Sequence, residues 1–430
     1  MPKGKFLPFQ PQRLHLLLLS LLLLSASLSV HAQDPSAVLT APNPPNAPAP
    51  LHKPYVVLVS LDGFRADYPR LDDAKHLLAI AAHGVSTEGM VPSYPSLTFP
   101  NHYTLATGLY PEHHGIVANS FYDATKDAHY SMSRTATEGA WYGGTPIWAL
   151  AEKQGVRSAC FFWPGSEAEI AGVRPSYYLK FDDHYPEPER IDQVIAWLKL
   201  PEAQRPHLIT LYYSDVDHAG HEYGPDAPET ATAVHHLDDL MGTLSEKLHA
   251  TGLPVDLIIV ADHGMVKTNP DWITLDKYAD LSGFTVDGPL LYSNDEALKQ
   301  KTYLALKAAA DKDPRFSVYR LKDMPARLHD DANPRTGDPV VVPNGPYAIR
   351  AHAGGRDRPP TTGSHGYDPS QVKEMRAIFF AEGPAFKSGV TLPPFENVDV
   401  YPLVAHILGL TPPPIDGTDA PFAPALKKKP

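Results

Sequence analysis

The chain has 430 residues, with 49 Asp and Glu against 37 Lys and Arg, and a formal net charge of −12. This acidic balance argues against nucleic-acid binding, which would need a general basic face. The single cysteine, Cys160, excludes an intrachain disulfide framework and any cysteine-rich zinc module. With 43% hydrophobic residues, the composition is that of a folded globular protein.

Residues 1–32 have the pattern of a secretory signal peptide. A basic start precedes an apolar run from Leu14 to Ser29, and a small-residue cleavage site ends at Ala32. The run of about 16 residues is shorter than the about 20 that a transmembrane helix needs, so we expect cleavage and no stable membrane span. Export to the periplasm or extracellular space is therefore predicted, and the single thiol favours a bacterial setting.

Proline-rich segments are predicted at both ends of the exported chain. Residues 33–53 are rich in proline and alanine and almost uncharged, which predicts a semi-extended linker. Residues 413–430 contain many prolines and a final lysine cluster, which predicts an exposed tail. The folded domain is expected between them, at residues 54–412.

Three continuous apolar runs, at residues 55–61, 208–213 and 257–261, predict strands that are buried on both faces. Stretches with helical periodicity lie between and beside them. They cover residues 71–83, 146–154, 191–200 and 230–250. This alternation predicts an α/β fold with a largely parallel central sheet, flanked by helices on both faces.

Residues 275–350 interrupt the alternation of strands and helices. A predicted helix at 295–311 is flanked there by short strand-like pieces and many turn residues, which indicates a small inserted lobe. The α/β pattern resumes with a predicted strand at 377–381 and a helix at 398–408.

An acidic or histidine-containing turn follows each of the three predicted strands. Asp62 follows the first strand, Asp217 and His221 the second, and Asp262 and His263 the third. Ligands of open α/β sheets bind beyond the carboxyl ends of the strands, and carboxylate with imidazole is a ligand set for zinc-like ions. The sequence therefore predicts a metal site at this edge of the sheet.

Two local structures near this edge can also be predicted. Gly220 argues against a helix over residues 217–221, so we expect a loop there. Thr98 has the character of an N-cap, and Pro100 suits the first turn of a helix that ends at Gly108. Thr98 is thus either only a cap or a nucleophile, since a helix N-terminus can hold phosphate beside it.

Together these residues resemble the nucleotide pyrophosphatase/phosphodiesterase family of the alkaline phosphatase superfamily, in its exported bacterial form. The shared motifs follow the family order over about residues 55–410. They are residues 61–68, 98–103, 111–119, 162–166, 217–225, 262–265 and 363–368. The resemblance implies an alkaline-phosphatase-like fold, with residues 54–412 as the phosphodiesterase catalytic domain.

The resemblance also implies two zinc ions and a covalent phosphothreonine intermediate on Thr98. One zinc ion would be held by Asp217, His221 and His365. The other would be held by Asp62, Asp262, His263 and the Thr98 oxygen. Asn119 would donate a hydrogen bond to a phosphate oxygen, alongside backbone N–H groups near Thr98 and Phe99.

The expected substrate is a singly charged phosphodiester, because residues 93–109 contain no Arg or Lys that could face a doubly charged monoester. Phe99 and Tyr212 match family positions that form a nucleotide base pocket, and the motif around Trp163 matches too. Phe181 stands where the family often has Tyr. Stacking on such rings can stabilise a base by roughly 1–3 kcal/mol.

The predicted function is hydrolysis of nucleotide phosphodiester and pyrophosphate bonds, with small-molecule nucleotides as substrates and nucleoside 5′-monophosphates as products. One alternative is a phosphodiesterase for choline- or glycerol-phosphate head groups. Another is a catalytically inactive, zinc-stabilised binding protein of the cell envelope. A monomer and a dimer are both compatible with the sequence.

Overall fold

The computed structural model describes residues 1, 4, 37–49, 52–354 and 360–427. The predicted signal peptide, residues 1–32, lies outside the described residues except for Met1 and Gly4. All elements below belong to the unit that begins at Val38. Within the described ranges, none of the helices combines the length and hydropathy of a bilayer-spanning segment.

A nine-stranded sheet runs through the described part of the chain. Its strands are β1 (Leu39–Thr40), β2 (Tyr55–Leu61), β3 (Val85–Thr87), β4 (Ser158–Phe161), β5 (Tyr177–Tyr178), β6 (Leu208–Tyr213), β7 (Val255–Val260), β8 (Phe379–Glu382) and β9 (Val390–Leu392). The order across the sheet is β1-β5-β4-β6-β2-β7-β8-β3-β9. Five neighbouring strands, in the spatial order β5-β4-β6-β2-β7, are parallel. Strands β1 and β8 are antiparallel to their neighbours. The prediction of a largely parallel sheet is confirmed.

The three predicted apolar strands are neighbours in this sheet. Val57 of β2 pairs with Ile209 of β6 on one side and with Leu257 of β7 on the other. Every residue of β2 is buried, as the continuous apolar run predicted. Because these strands are parallel, their carboxyl ends meet at one edge of the sheet.

Helices flank the sheet, and the predicted ones begin and end within a few residues of the expected positions. They are α1 (Tyr68–Leu71), α2 (Lys75–His83), α3 (Thr98–Thr107), α4 (Pro111–His114), α5 (Ile147–Lys153), α6 (Glu187–Leu198), α7 (Asp215–Tyr223), α8 (Pro228–Ala250), α9 (Glu296–Ala310) and α10 (Val400–Leu408). In α8, Val234, Leu237 and Met241 are buried at the spacing of a single helical face.

A second hydrophobic cluster lies between residues 273 and 351, which coincides with the predicted insertion. Its buried side chains include Ile273, Leu291, Leu306 and Phe316. Helix α9 and short strand pairs build this lobe. The pairs are Asn269–Thr274 with Tyr347–Arg350, Thr285–Asp287 with Leu290–Tyr292, and Phe316–Tyr319 with Val340–Pro343. Pairs elsewhere are Met90–Val91 with Phe395–Glu396, Ser120–Asp123 with Ala128–Ser131, and Val266–Lys267 with Gly363–Ser364.

The segment predicted as a semi-extended linker, residues 33–53, is attached to the sheet in its described part. Strand β1 pairs with β5 at the edge of the sheet. The buried Asn46 amide donates hydrogen bonds to the carbonyl oxygens of Glu202 and Arg205, and its oxygen accepts one from the Arg157 N–H. These bonds, together with the packing of Val38 against the main core, hold the segment in place.

The predicted exposed tail, residues 413–430, is also packed on the domain in its described part. Phe422 and Ala425 are fully buried. The Phe422 ring centroid lies 4.8 Å from that of Phe395 and 5.4 Å from that of Phe379. The aromatic ring among the prolines therefore joins the main core, which the composition of the tail did not indicate.

We predict that Phe422→Ala lowers the free energy of unfolding by about 3 kcal/mol, since it removes a buried ring and leaves a cavity. Urea denaturation measures the change. The matched control is Leu304→Ala, at a side chain that is 56% exposed on α9, which should cost less than about 0.5 kcal/mol. Equal effects of the two substitutions would show that the tail is not part of the core.

Candidate active site

The carboxyl ends of β2, β6 and β7 bring the predicted ligands together. Asp62 directly follows β2, and Asp262 and His263 follow β7 by two and three residues. Asp217 and His221 lie on α7, which follows β6. The prediction of a loop at residues 217–221 is therefore wrong, because these two residues are four apart on a helix.

Close packing explains why Gly220 is present in α7. A Cβ atom at this position would lie 3.0 Å from the Cε atom of Met265, which is tighter than most real contacts. The glycine thus allows α7 to approach the segment after β7. Its presence reflects this approach and not a break in the helix.

Backbone carbonyl groups orient all three predicted histidine ligands in the same way. The Nδ1 atoms of His221, His263 and His365 lie 2.9 Å from the carbonyl oxygens of Gly363, Gly264 and Ser96, respectively. Nδ1 must carry the proton to donate these bonds, so in the neutral ring each Nε2 presents a lone pair. The Nε2 atoms of His221 and His365 are 3.2 Å apart, an arrangement that a shared cation would stabilise.

The three aspartates of the cluster carry buried oxygens that need positive charge. Asp62 Oδ1, Asp217 Oδ1 and Asp262 Oδ2 have no hydrogen-bond donor among the described residues. Burial, together with the negative charges of Asp262 and Asp217, raises the pKa of Asp62 well above its usual range. Divalent cations would satisfy these oxygens and keep all three carboxylates ionised.

One of the histidine donors, His365, is held in the form that a metal requires. Burial and the neighbouring His263 and His221 imidazoles lower the pKa of His365 well below its usual range. His365 is therefore a neutral imidazole, which is the form that ligates a metal. The residues that the structure brings together fit a site for divalent cations.

The cluster contains two groups of potential ligand atoms. Within each group, all the atoms lie within 4.8 Å of one another. One consists of Asp217, His263 and His365, and the other of Asp62, His102 and Asp262. The predicted sets place His263 with the second group and do not include His102. His263 lies between the groups, since its Nε2 is 3.0 Å from Asp262 Oδ2 and 3.5 Å from Asp62 Oδ1.

Thr98 is the first residue of α3 and not its N-cap. The first helical hydrogen bond, from the Asn101 N–H, is accepted by the Leu97 carbonyl, so Leu97 is the N-cap. Because no side chain caps this helix, the Thr98 hydroxyl remains available to the cluster. Its Oγ1 lies 3.4 Å from His263 Nε2.

His102 is a residue to which sequence reasoning assigned no definite role. It is fully buried, and its Nδ1 lies 2.9 Å from the Thr98 carbonyl oxygen and 3.3 Å from Asp262 Oδ2. Its Nε2 lies 2.8 Å from the Ser60 hydroxyl. His102 therefore links the backbone of Thr98 to a predicted metal ligand and positions both, and its i+4 spacing from Thr98 was the available signal.

Asn119 lies beside Thr98, as predicted. Its Oδ1 accepts a hydrogen bond from the Phe99 N–H at 2.9 Å, which leaves its amide N–H groups without a partner in the described part of the chain. The Phe99 N–H is thus engaged by Asn119, whereas the sequence-based expectation was a direct bond to phosphate. The oriented Asn119 amide can itself donate to an anion.

A cavity of about 480 Å³ opens next to Thr98, and we call it the aromatic cavity. Its lining includes Phe99, Phe181 and Tyr212. The Phe181 ring is 51% exposed and its centroid lies 6.1 Å from that of Tyr212. The Tyr212 hydroxyl donates to Asp62 Oδ2 at 2.7 Å, so Tyr212 contacts both the cavity and the cluster.

Trp163 also lines the aromatic cavity but is almost fully buried. Its indole N–H donates to the His102 carbonyl oxygen at 3.0 Å, and the rings of the two residues meet edge to face. The structure therefore gives Trp163 a role in supporting α3, beside the substrate contact predicted for it.

Besides the predicted Asp62 and Asp217, the aromatic cavity is lined by two charged residues that sequence reasoning missed. These residues are Arg134 and Glu167. Arg134 makes no ion pair or side-chain hydrogen bond with any described residue, whereas Glu167 accepts one from the Phe181 N–H at 2.9 Å. Arg134 lies outside every motif, so no local signal was available to find it.

Comparison with known proteins places these observations in a family. The family described as "Type I phosphodiesterase / nucleotide pyrophosphatase" matches residues 56–368. A pyrophosphatase/phosphodiesterase of Schizosaccharomyces pombe is 36% identical over 385 residues, which are 84% of this chain and 78% of that protein. Human ectonucleotide pyrophosphatase/phosphodiesterase family member 1 is 37% identical over 90% of this chain, but only 43% of its own length is covered.

A venom phosphodiesterase of Crotalus durissus collilineatus is 37% identical over 88% of this chain and 47% of its own. The chain thus spans less than half the length of these human and venom relatives. Among solved structures, murine ectonucleotide pyrophosphatase/phosphodiesterase 5 is similar with a TM-score of 0.81 and 31% identity, covering 87% of this chain and 100% of the murine chain.

This likeness confirms the expected alkaline-phosphatase-like fold. Fold and site together define an enzyme of the metal-dependent alkaline phosphatase superfamily. More particularly, the chain belongs to the type I phosphodiesterase / nucleotide pyrophosphatase family.

We predict that Tyr212→Phe weakens the binding of divalent cations, with Zn²⁺ as the probe, by about 10-fold or more, because it removes the hydroxyl that orients Asp62. Competition with a chromogenic chelator measures this affinity. The matched control is Tyr213→Phe, whose buried hydroxyl has no hydrogen-bond partner among the described residues. Unchanged zinc affinity in Tyr212→Phe would contradict the role given to this hydroxyl.

Proposed function

We propose that the chain hydrolyses nucleotide phosphodiester and pyrophosphate bonds and releases nucleoside 5′-monophosphates. One observation carries this proposal. Carboxylate oxygens without a hydrogen-bond donor among the described residues, the Thr98 hydroxyl and the aromatic cavity all lie at one edge of the sheet. This arrangement combines a cation site, a nucleophile and a surface for a base.

Two zinc ions are the proposed cofactors. Asp217, His221 and His365 would hold one ion. Asp62, Asp262, His263 and Thr98 Oγ1 would hold the other. Bound at these positions, the ions would supply the positive charge that an anionic phosphate and its developing oxygen charges require.

The residues of the chain position the nucleophile and the phosphate. His102 fixes the backbone of Thr98 through its carbonyl oxygen, and Asn119 points its amide at the same region. As the bond from Thr98 Oγ1 to phosphorus forms, the bond from phosphorus to the leaving-group oxygen breaks; the hydroxyl proton passes to solvent, and the leaving group takes up a proton from solvent where its oxygen requires one. Water then cleaves the phosphothreonine, which restores the hydroxyl and releases the monophosphate.

The aromatic cavity is the proposed site of the nucleoside that remains on the phosphate. Phe99 follows Thr98 directly, and Phe181 offers an exposed ring near the Tyr212 ring. Stacking between such faces stabilises bases of any sequence. An inactive variant of the murine family member 5 has been solved in complex with AMP, which supports nucleoside monophosphate as the product class.

The choline head-group alternative is less well supported. Arg134, which makes no ion pair with any residue that the structure describes, lines the aromatic cavity together with the rings, and it would repel a quaternary ammonium group. The inactive binding protein is also less well supported, since every predicted ligand position and the nucleophile carry a competent residue.

We further propose that the protein is exported. The signal-like pattern of residues 1–32 supports this. The names of the relatives, which include ectoenzymes and venom enzymes, agree with an extracytoplasmic setting.

We expect a nucleotide nitrophenyl diester to be hydrolysed at least about 100-fold more efficiently than nitrophenyl phosphate. The monoester carries an additional charge and lacks the nucleoside that would occupy the aromatic cavity. Release of nitrophenolate measures kcat/KM for both compounds with the same leaving group. A higher kcat/KM for the monoester would overturn the proposed diesterase activity.

We expect Thr98→Ala to lower kcat by about 1,000-fold or more while zinc binding persists, because six of the seven proposed ligands remain. Elemental analysis of the purified variant measures zinc, and diester hydrolysis measures kcat. Thr98→Ser retains a hydroxyl and should recover part of the activity. Full activity in Thr98→Ala would remove this residue from the mechanism.

A further inference from the structure

A second cavity, of about 380 Å³, reaches the site from the side of the lobe, and we call it the lobe cavity. Leu97, Asn119 and His365 contribute to its lining from the catalytic side. Leu290 and Tyr347 are among the residues that contribute from the lobe. Its volume lies in the range of small-molecule binding sites.

The two sequence neighbours of Thr98 line different cavities. Phe99, immediately after Thr98, lines the aromatic cavity, while Leu97, immediately before it, lines the lobe cavity. No residue lines both. A phosphodiester has two substituents. When the nucleoside occupies the aromatic cavity, the lobe cavity is available to the other substituent, the leaving group.

The lining of the lobe cavity is largely apolar. Tyr94 and Tyr367 are at most 9% exposed, and Leu290, Val341 and Ile349 lie with them in the wall. Burying apolar area in such a wall contributes about 25 cal/mol per Å². A ring-bearing group would gain this energy, whereas a highly charged group would lose its hydration there.

The ionisable side chains of the lobe cavity include two carboxylic acids; burial raises the pKa of Asp330 to about 7, so the negative charge at neutral pH comes mainly from Asp287. Both residues line the cavity, and its described lining contains no lysine or arginine. Asp330 is 1% exposed; its Oδ1 accepts the Thr336 hydroxyl at 2.7 Å, and its Oδ2 has no partner among the described residues. An unpartnered, buried carboxylate oxygen calls for a hydrogen-bond donor on the ligand.

The other carboxylate of the lobe cavity, Asp287, has a polar partner at each of its oxygens. Asp287 accepts the Ser120 hydroxyl at 2.7 Å through Oδ1, and its Oδ2 lies 2.7 Å from His129 Nδ1. Ser120 lines the same cavity and directly follows Asn119. A polyphosphate leaving group would thus meet negative charge close to the site.

We propose that the lobe cavity is the leaving-group subsite and selects an uncharged, ring-bearing group with hydrogen-bond donors, such as a nucleoside, over a pyrophosphate. This inference rests on the proposed function, because it assigns the second substituent of the same phosphodiester. The lobe therefore contributes to substrate selection.

The test compares a dinucleoside monophosphate of adenosine with ATP, since both release AMP and differ in the leaving group. Leu290→Ala should lower kcat/KM for the dinucleoside monophosphate about tenfold and for ATP less than about twofold, because it removes apolar wall. Asp287→Asn should raise kcat/KM for ATP about fivefold relative to the dinucleoside monophosphate, because it removes a negative charge.

The control is Asn294→Ala, at a residue that lines a separate cavity in the lobe, and it should leave both rates unchanged. Equal changes for both substrates in Leu290→Ala, or an unaltered ratio in Asp287→Asn, would overturn the assignment of the lobe cavity. Release of AMP from neither substrate by the wild-type enzyme would instead overturn the proposed function itself.

Discussion

The burial of three carboxylates at one sheet edge is the constraint on which the rest of the structure depends. Asp62, Asp217 and Asp262 are each at most 8% exposed, and no described lysine or arginine forms an ion pair with them. Such an arrangement is costly without compensating positive charge. Two divalent cations would outweigh the three negative charges and make the site attractive to phosphate in a chain with a net charge of −12.

The fold supplies rigid positions for these groups. The parallel pairing of β2 with β6 and β7 brings the strand ends together, and backbone carbonyl groups fix the tautomers of the three proposed histidine ligands. His102 then connects the backbone of Thr98 to Asp262. Sites built on such elements and supported by further hydrogen bonds hold their geometry more precisely than sites on loops.

The sequence predicted the parts of this arrangement that depend on local patterns. Continuous apolar runs located the central strands, and the polar residues after them located the cluster. It misjudged α7, because the reason for Gly220 is a contact with Met265, which is distant in sequence. The packing of Phe422 against Phe395 was hidden for the same reason.

The second cavity was likewise beyond local reasoning. The insertion could be recognised from its composition, but its contribution to the site depends on where Leu290 and Asp287 lie relative to Asn119. Arg134 lines the aromatic cavity but belongs to a segment of the sequence that contains no motif. Long-range contacts, which no local pattern encodes, thus determine the lining of both cavities.

The central claim is that the sheet edge holds two metal ions. Anomalous X-ray diffraction at the zinc edge, on crystals of the purified enzyme, tests it most directly. Two anomalous peaks are expected, one beside Asp217, His221 and His365 and one beside Asp62, Asp262 and His263. Zinc-loaded crystals with no peak at either position would contradict this claim.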